Sequence, residues 1–177
     1  MNTLLVKRWL PLAALSTTLA TAVLSGTAVA HGDEHGKKKN SSGAPAMVEK
    51  SFGKTGHAGK VTRTINVDMS DRMRFSPDTL AVGEGETVKF VVKNSGKLMH
   101  EFVLGTLPEL KEHAELMKKF PGMVHDEPYM AHVAPGKIQT IVWQFTRTGT
   151  FHFGCLLPGH FEAGMVGKIN VSTRKPS

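Results

Sequence analysis

Cys155, His160 and Met165 lie five residues apart in turn, joined by the turn-forming pair Pro158 and Gly159 and by Gly164. Cys155 is the only cysteine in the 177-residue chain. A lone thiol has four roles open to it: buried and inert, paired between chains, catalytic, or bound to a metal. The imidazole and thioether that follow favour the last. One further histidine, for which His100 is placed, would complete two imidazoles, one thiolate and a weak axial thioether. That set suits copper in both of its oxidation states, because the thiolate is soft, the imidazoles are indifferent and the thioether imposes no geometry. The thiol must be deprotonated to bind, and the metal itself achieves this.

Strands must hold these groups. Phe151, Phe153 and Cys155 alternate onto one face, so the two rings should pack in a core beside the sulfur. Pro158 and Gly159 turn the chain to present His160, and Gly164 lets it return so that Met165 approaches. Val61–Met69 alternates apolar with polar residues, the period of a half-buried strand. Further strands are expected at Thr79–Val82, Thr87–Lys93, Met99–Leu104, Lys137–Phe145, Thr150–Cys155 and Val166–Val171. Glycine-rich turns at 83–86, 94–96, 147–149 and 158–159 separate most of them. Short, evenly punctuated strands predict an all-β fold, a Greek-key β-sandwich with one short inserted helix. Thr106 with Glu109 forms a capping box, and Leu110, Ala114, Met117 and Phe120 recur at helical spacing. The helix is expected at Leu107–Lys119, before Pro121 and Gly122.

The motif Gly154, Cys155, Pro158, Gly159, His160 and Met165, preceded by Asn94 and His100, resembles the type 1 copper site of the cupredoxins (plastocyanin, azurin and pseudoazurin). The resemblance spans Val61 to Val171. It implies His100, Cys155 and His160 as strong equatorial ligands and Met165 as the weak axial one. The four residues between Cys155 and His160 resemble azurin, and the four between His160 and Met165 resemble plastocyanin. The chain length, the inserted helix and the runs Trp143 to Phe145 and His160 to Gly167 look more like periplasmic cupredoxins associated with bacterial copper tolerance.

Residues 1–30 read as a secretory signal peptide. Lys7 and Arg8 supply its charge, Leu10–Leu24 its apolar region, and Ala28 and Ala30 an A-x-A cleavage site. The expected location is therefore the periplasm, with no membrane span after cleavage. Residues 31–60 are expected to form a mobile His/Lys/Gly-rich tail, and residues 61–177 the cupredoxin domain. The formal charge of +7 does not argue for nucleic acid. Residues 61–171 carry 12 Lys/Arg and 12 Asp/Glu, so the excess sits in the ends and not in a basic stripe.

Additional His and Met residues raise a second question. His31 and His35 would give the mature terminus an amine and two imidazoles suited to Cu(II), or they are a solvated tail. Met117, Met123, His125, Met130 and His132 could capture Cu(I), or the methionines fill a core gap while the histidines face water. Met99 is expected in a core, and His152 on the strand face away from Cys155. Leu156, Leu157 and Phe161 either form an apolar docking patch around His160 or pack under the loop.

No His-x-His pair is present, and four donors leave no open position, so the reading is not an enzyme. The expectation is a mononuclear type 1 copper protein serving copper tolerance or handling with a redox-active copper. Its partner would be a redox protein or a copper-handling protein in the periplasm, and the chain itself a monomer. The alternative is a soluble periplasmic electron carrier of the plastocyanin/azurin type.

Overall fold

A computed structural model describes residues 46–123 and 126–173, which lie in a compact unit spanning residues 42–177. The strands are β1 (Glu49–Lys50), β2 (Gly53–Thr55), β3 (Arg63–Ser70), β4 (Arg74–Ser76), β5 (Thr79–Gly83), β6 (Thr87–Asn94) and β7 (His100–Gly105). After α1 (Leu107–Lys119) come β8 (Met130–Val133), β9 (Ile138–Phe145), β10 (Gly149–Gly154) and β11 (Val166–Ser172). They form two sheets, ordered β1-β2-β9-β6-β3-β4 and β5-β11-β10-β7-β8. The β3–β6 and β5–β11 pairs are parallel and the others antiparallel. No helix among the described residues is long and apolar enough to cross a membrane.

Period-2 alternation drives the packing. On β6, Val88, Phe90, Val92 and Asn94 are all buried, and they face the second sheet across a core that includes Val67, Phe102, Trp143, Phe145 and Phe153. Phe102 stacks on Phe153 at 4.9 Å, and Phe75 meets Phe153 edge-on at 5.0 Å. Gly167 lies opposite Phe153 in the ladder, and a Cβ there would come within 2.1 Å of that ring. The close approach of ring to backbone therefore requires glycine.

Every residue of β7 is buried, because this strand is covered on both faces. Phe102 and Leu104 face the sandwich core, while Val103 faces a second cluster with Met130, Leu156 and Leu110, Ala114 and Met117 of α1. The capping box begins α1 as the sequence predicts: Glu109 N–H donates to Thr106 Oγ1 at 3.4 Å, and Thr106 N–H to Glu109 Oε2 at 2.9 Å. Lys50 of β1 pairs with Glu109 Oε1 at 3.0 Å, tying the helix start to the first strand.

Two expectations change. Part of the stretch assigned to a tail, from residue 46 to Lys60, belongs to the sandwich. There β2 pairs with β9, and Phe52 is fully buried with its ring 5.2 Å from Trp143 and 5.5 Å from Phe151. A two- and a three-residue strand are too short to display a period, so the sequence shows only one aromatic among glycines and lysines. Met99 is 45% exposed, because β7 begins one residue later and Met99 lies in the preceding loop.

Candidate metal centre

His100, at the first position of β7, is held by both sheets. Its backbone pairs with Val133 of β8. The loop before it wraps around two polar side chains. Buried Asn94 donates to the carbonyls of Leu98 (2.7 Å) and Val133 (2.8 Å) and accepts from Gly96 N–H. Asp71, between β3 and β4, accepts from Lys97 N–H at 2.7 Å and Leu98 N–H at 3.2 Å, and its Oδ1 lies 3.1 Å from His100 Nε2. The Lys97 N–H foremost, then Leu98 and His100, hold the Asp71 carboxyl below its usual range. A carboxylate on Nε2 orients the ring and leaves Nδ1 as the free donor atom. His100 Nδ1 is buried and has no hydrogen-bond partner. Since buried polar atoms are nearly always paired, this orphan fits a metal ligand.

Cys155 follows β10 directly. Because Gly154 sits opposite Val103, the chain carries Cys155 alongside the start of β7, where Glu101 N–H donates to Sγ at 3.3 Å. The loop to β11 closes on itself. Cys155 N–H donates to Met165 carbonyl (3.1 Å), Met165 N–H to His160 carbonyl (3.0 Å) and His160 N–H to Leu157 carbonyl (3.0 Å). Gly159 and Gly164 take φ values of 86° and 90°, the left-handed region in which a side chain is strained. Two cations clamp the loop from outside: Arg74 donates to Ala163 carbonyl at 2.8 Å, and Lys118 of α1 pairs with Glu162 at 2.7 Å.

Together these elements bring His100, Cys155 and His160 into one cluster whose ligand atoms lie within 4.8 Å of one another. Cys155 Sγ is 3.2 Å from His160 Nδ1, and the two imidazole rings are 5.1 Å apart. Met165 is fully buried in the core that also holds Cys155. Burial pushes the Cys155 thiol up to about 12, against the opposing effect of the Glu101 and Leu157 N–H groups. Burial foremost, and then neighbouring His100, lowers His160, favouring the neutral imidazole that a metal requires. Cys155 is fully buried and its thiol ionises reluctantly, which suits a metal ligand better than a free nucleophile or an interchain disulfide. The donor set, the orphaned nitrogen and the buried thioether fit a copper ion.

Residues 61–172 match the family described as copper binding proteins, plastocyanin/azurin family. The chain belongs to that family. This cupredoxin is 51% identical over 141 residues to the "copper-resistant cuproprotein CopI" of Rubrivivax gelatinosus, covering 79% of this chain and 84% of the relative. The protein of the same name from Vibrio cholerae is 32% identical, over 94% of this chain and all of the relative. Two solved structures share the fold. Reduced auracyanin of Roseiflexus castenholzii has a TM-score of 0.55 at 20% identity, covering 63% of this chain and 98% of its own. Auracyanin A, a "blue" copper protein of Chloroflexus aurantiacus, has a TM-score of 0.52 at 22% identity, covering 62% and 98%.

The remaining expectations are distributed unevenly. His31, His35 and His125 lie outside the described residues. Met117 and Met130 are buried between α1 and the β7–β8 edge, whereas Met123 is 39% exposed. His132 pairs with Glu101 at 3.0 Å. His152 is half-buried, with its pKa lowered by burial and then by Lys168. Leu156 does not belong to a docking patch, because it is fully buried beneath α1 with Phe161 packed against the same cluster. Leu98 and Met99, at 48% and 45% exposure, are the apolar side chains open to solvent beside His100. Sequence reasoning did not find Asp71 or Glu101. Asp71 looks like an ordinary turn residue 29 positions from His100. Glu101 left one signal, a carboxylate heading the otherwise apolar run Phe102, Val103 and Leu104.

Proposed function

We propose that this cupredoxin is an exported, periplasmic, mononuclear type 1 copper protein whose redox-active copper serves copper tolerance or handling. The observation that carries the reading is the convergence of one thiol and two imidazoles, one with an orphaned Nδ1, beside a buried methionine. His100, Cys155 and His160 would hold the ion strongly and Met165 weakly. Bound copper would supply a one-electron couple with donors acceptable to both oxidation states.

The chain's own part is positional. Two sheets fix His100 and Cys155, Asp71 sets which imidazole nitrogen is offered, and the Glu101 N–H partly neutralises the sulfur. Arg74 and Lys118 brace the loop bearing His160 and Met165. Four donors from the protein leave no position for a substrate, which favours binding and electron transfer over catalysis. The relatives named for copper resistance favour tolerance, with a periplasmic copper-handling or redox protein as partner and a monomeric chain. The exposed Leu98 and Met99 beside the site favour the second reading, a soluble electron carrier that docks through that end.

The test is copper stoichiometry with visible and EPR spectra on the chain beginning at His31, and on one beginning at residue 46 so that β1 and β2 are kept. One strongly coloured copper in both supports the type 1 site. Extra colourless copper, lost on truncation, supports tolerance with tail binding. No coloured copper in either chain would overturn the site.

A further inference from the structure

The outer face of the second sheet and the α1 face that covers it carry four potential ligands outside the Cys155 cluster. Glu101 and His132 are direct partners in the β7–β8 ladder, and their side chains meet at 3.0 Å. Two residues along each strand, Val103 pairs with Met130, and side chains at that spacing share a face. Met130, Val103 and Met117 of α1 belong to one buried cluster. Glu101 is 2% exposed, Met117 3% and Met130 6%. A carboxylate at that depth is rare, and a fold needing only packing would place an apolar residue there.

We propose that Glu101, His132, Met117 and Met130 form a second metal site, selective for Cu(I). Thioethers and an imidazole are donors that favour soft Cu(I) over Mg²⁺ or Ca²⁺. A buried cation requires a countercharge, and the Glu101 carboxylate supplies one, so that a monovalent ion leaves the site neutral. A cavity of about 320 Å³ reaches Met130, and Glu109, Glu112, Glu127, His113 and Lys50 are among its lining residues. The site lies directly behind the first, since the Glu101 backbone N–H donates to Cys155 Sγ. The choice of copper rests on the copper-handling reading above; the placement of the ligands does not.

The experiment uses the full chain from His31, loaded with one copper, reduced, and labelled with ¹³C at the methionine methyls. Silver(I), a redox-inert stand-in for Cu(I), is titrated in. Signals assigned by Met117→Leu and Met130→Leu are followed by NMR. The Met117 and Met130 signals are expected to shift together and saturate at one added equivalent. In competition with a Cu(I) chelator, His132→Gln is expected to weaken the second equivalent at least tenfold while the coloured band of the reoxidised protein is unchanged. Methionine signals that stay put through one equivalent, or an unchanged affinity in His132→Gln, would overturn the site and leave Glu101–His132 as an ion pair alone. Either failure leaves the colour of the first site intact, whereas failure of the type 1 reading removes the colour itself.

Discussion

Burial of the Cys155 thiol has a measurable consequence for the metal-free protein. Its pKa rises from an ordinary 9.0 to about 12. An acid with a raised folded-state pKa stays protonated in the native state while the unfolded chain ionises. Its contribution to stability is therefore complete below pH 9 and is lost as pH rises from there towards 12. The slope is about 1.4 kcal/mol per pH unit, so between pH 8 and pH 10.5 this one group should remove about 2 kcal/mol. Urea unfolding of the metal-free chain and of Cys155→Ala at both pH values measures it. The alanine variant is expected to lose about 2 kcal/mol less than the wild type, whatever its baseline. Copper-loaded protein should lack this loss, because its ligand is already a thiolate, and loading near pH 7 should release about one proton per copper. Equal alkaline losses in wild type and Cys155→Ala would refute the argument, and with it the view that the metal itself must ionise the sulfur.

Three further outcomes are expected. Phe52→Ala removes a fully buried ring that touches Trp143 and Phe151; it should cost about 3–5 kcal/mol in calorimetric unfolding while the copper colour persists, since the ring lies away from the ligands. Asp71→Asn removes the charge that orients His100, and should weaken copper about 10–100-fold and raise the reduction potential, a shift that shrinks with added salt because Asp71 is at the surface. Met165→Leu should keep copper but raise the potential in voltammetry, because the axial donor it removes favours Cu(II).

The type 1 ligand candidates were legible in the sequence because three of them sit on one loop. Local spacing, a strand face, a proline–glycine turn and a permissive Gly164 suffice to bring Cys155, His160 and Met165 together. The long strands and α1 were legible for the same reason: each carries its own period and caps over eight or more residues. The short strands β1, β2, β4 and β8 were not, because two to four residues contain no period to read, and their place is set by the partner strand they complete. Pairing across the chain settled the rest. Only the tertiary structure brings Asp71 onto His100 from 29 residues away and sets Glu101 against His132 under α1. It also decides between the two places open to Leu156, burying it at the helix interface. Those contacts depend on strand order and on which face a helix covers, and burial then makes each isolated polar atom find a partner or a ligand. The sequence determined which donors lie together on the loop; the fold decided which nitrogen His100 offers and how deeply the thiol is buried.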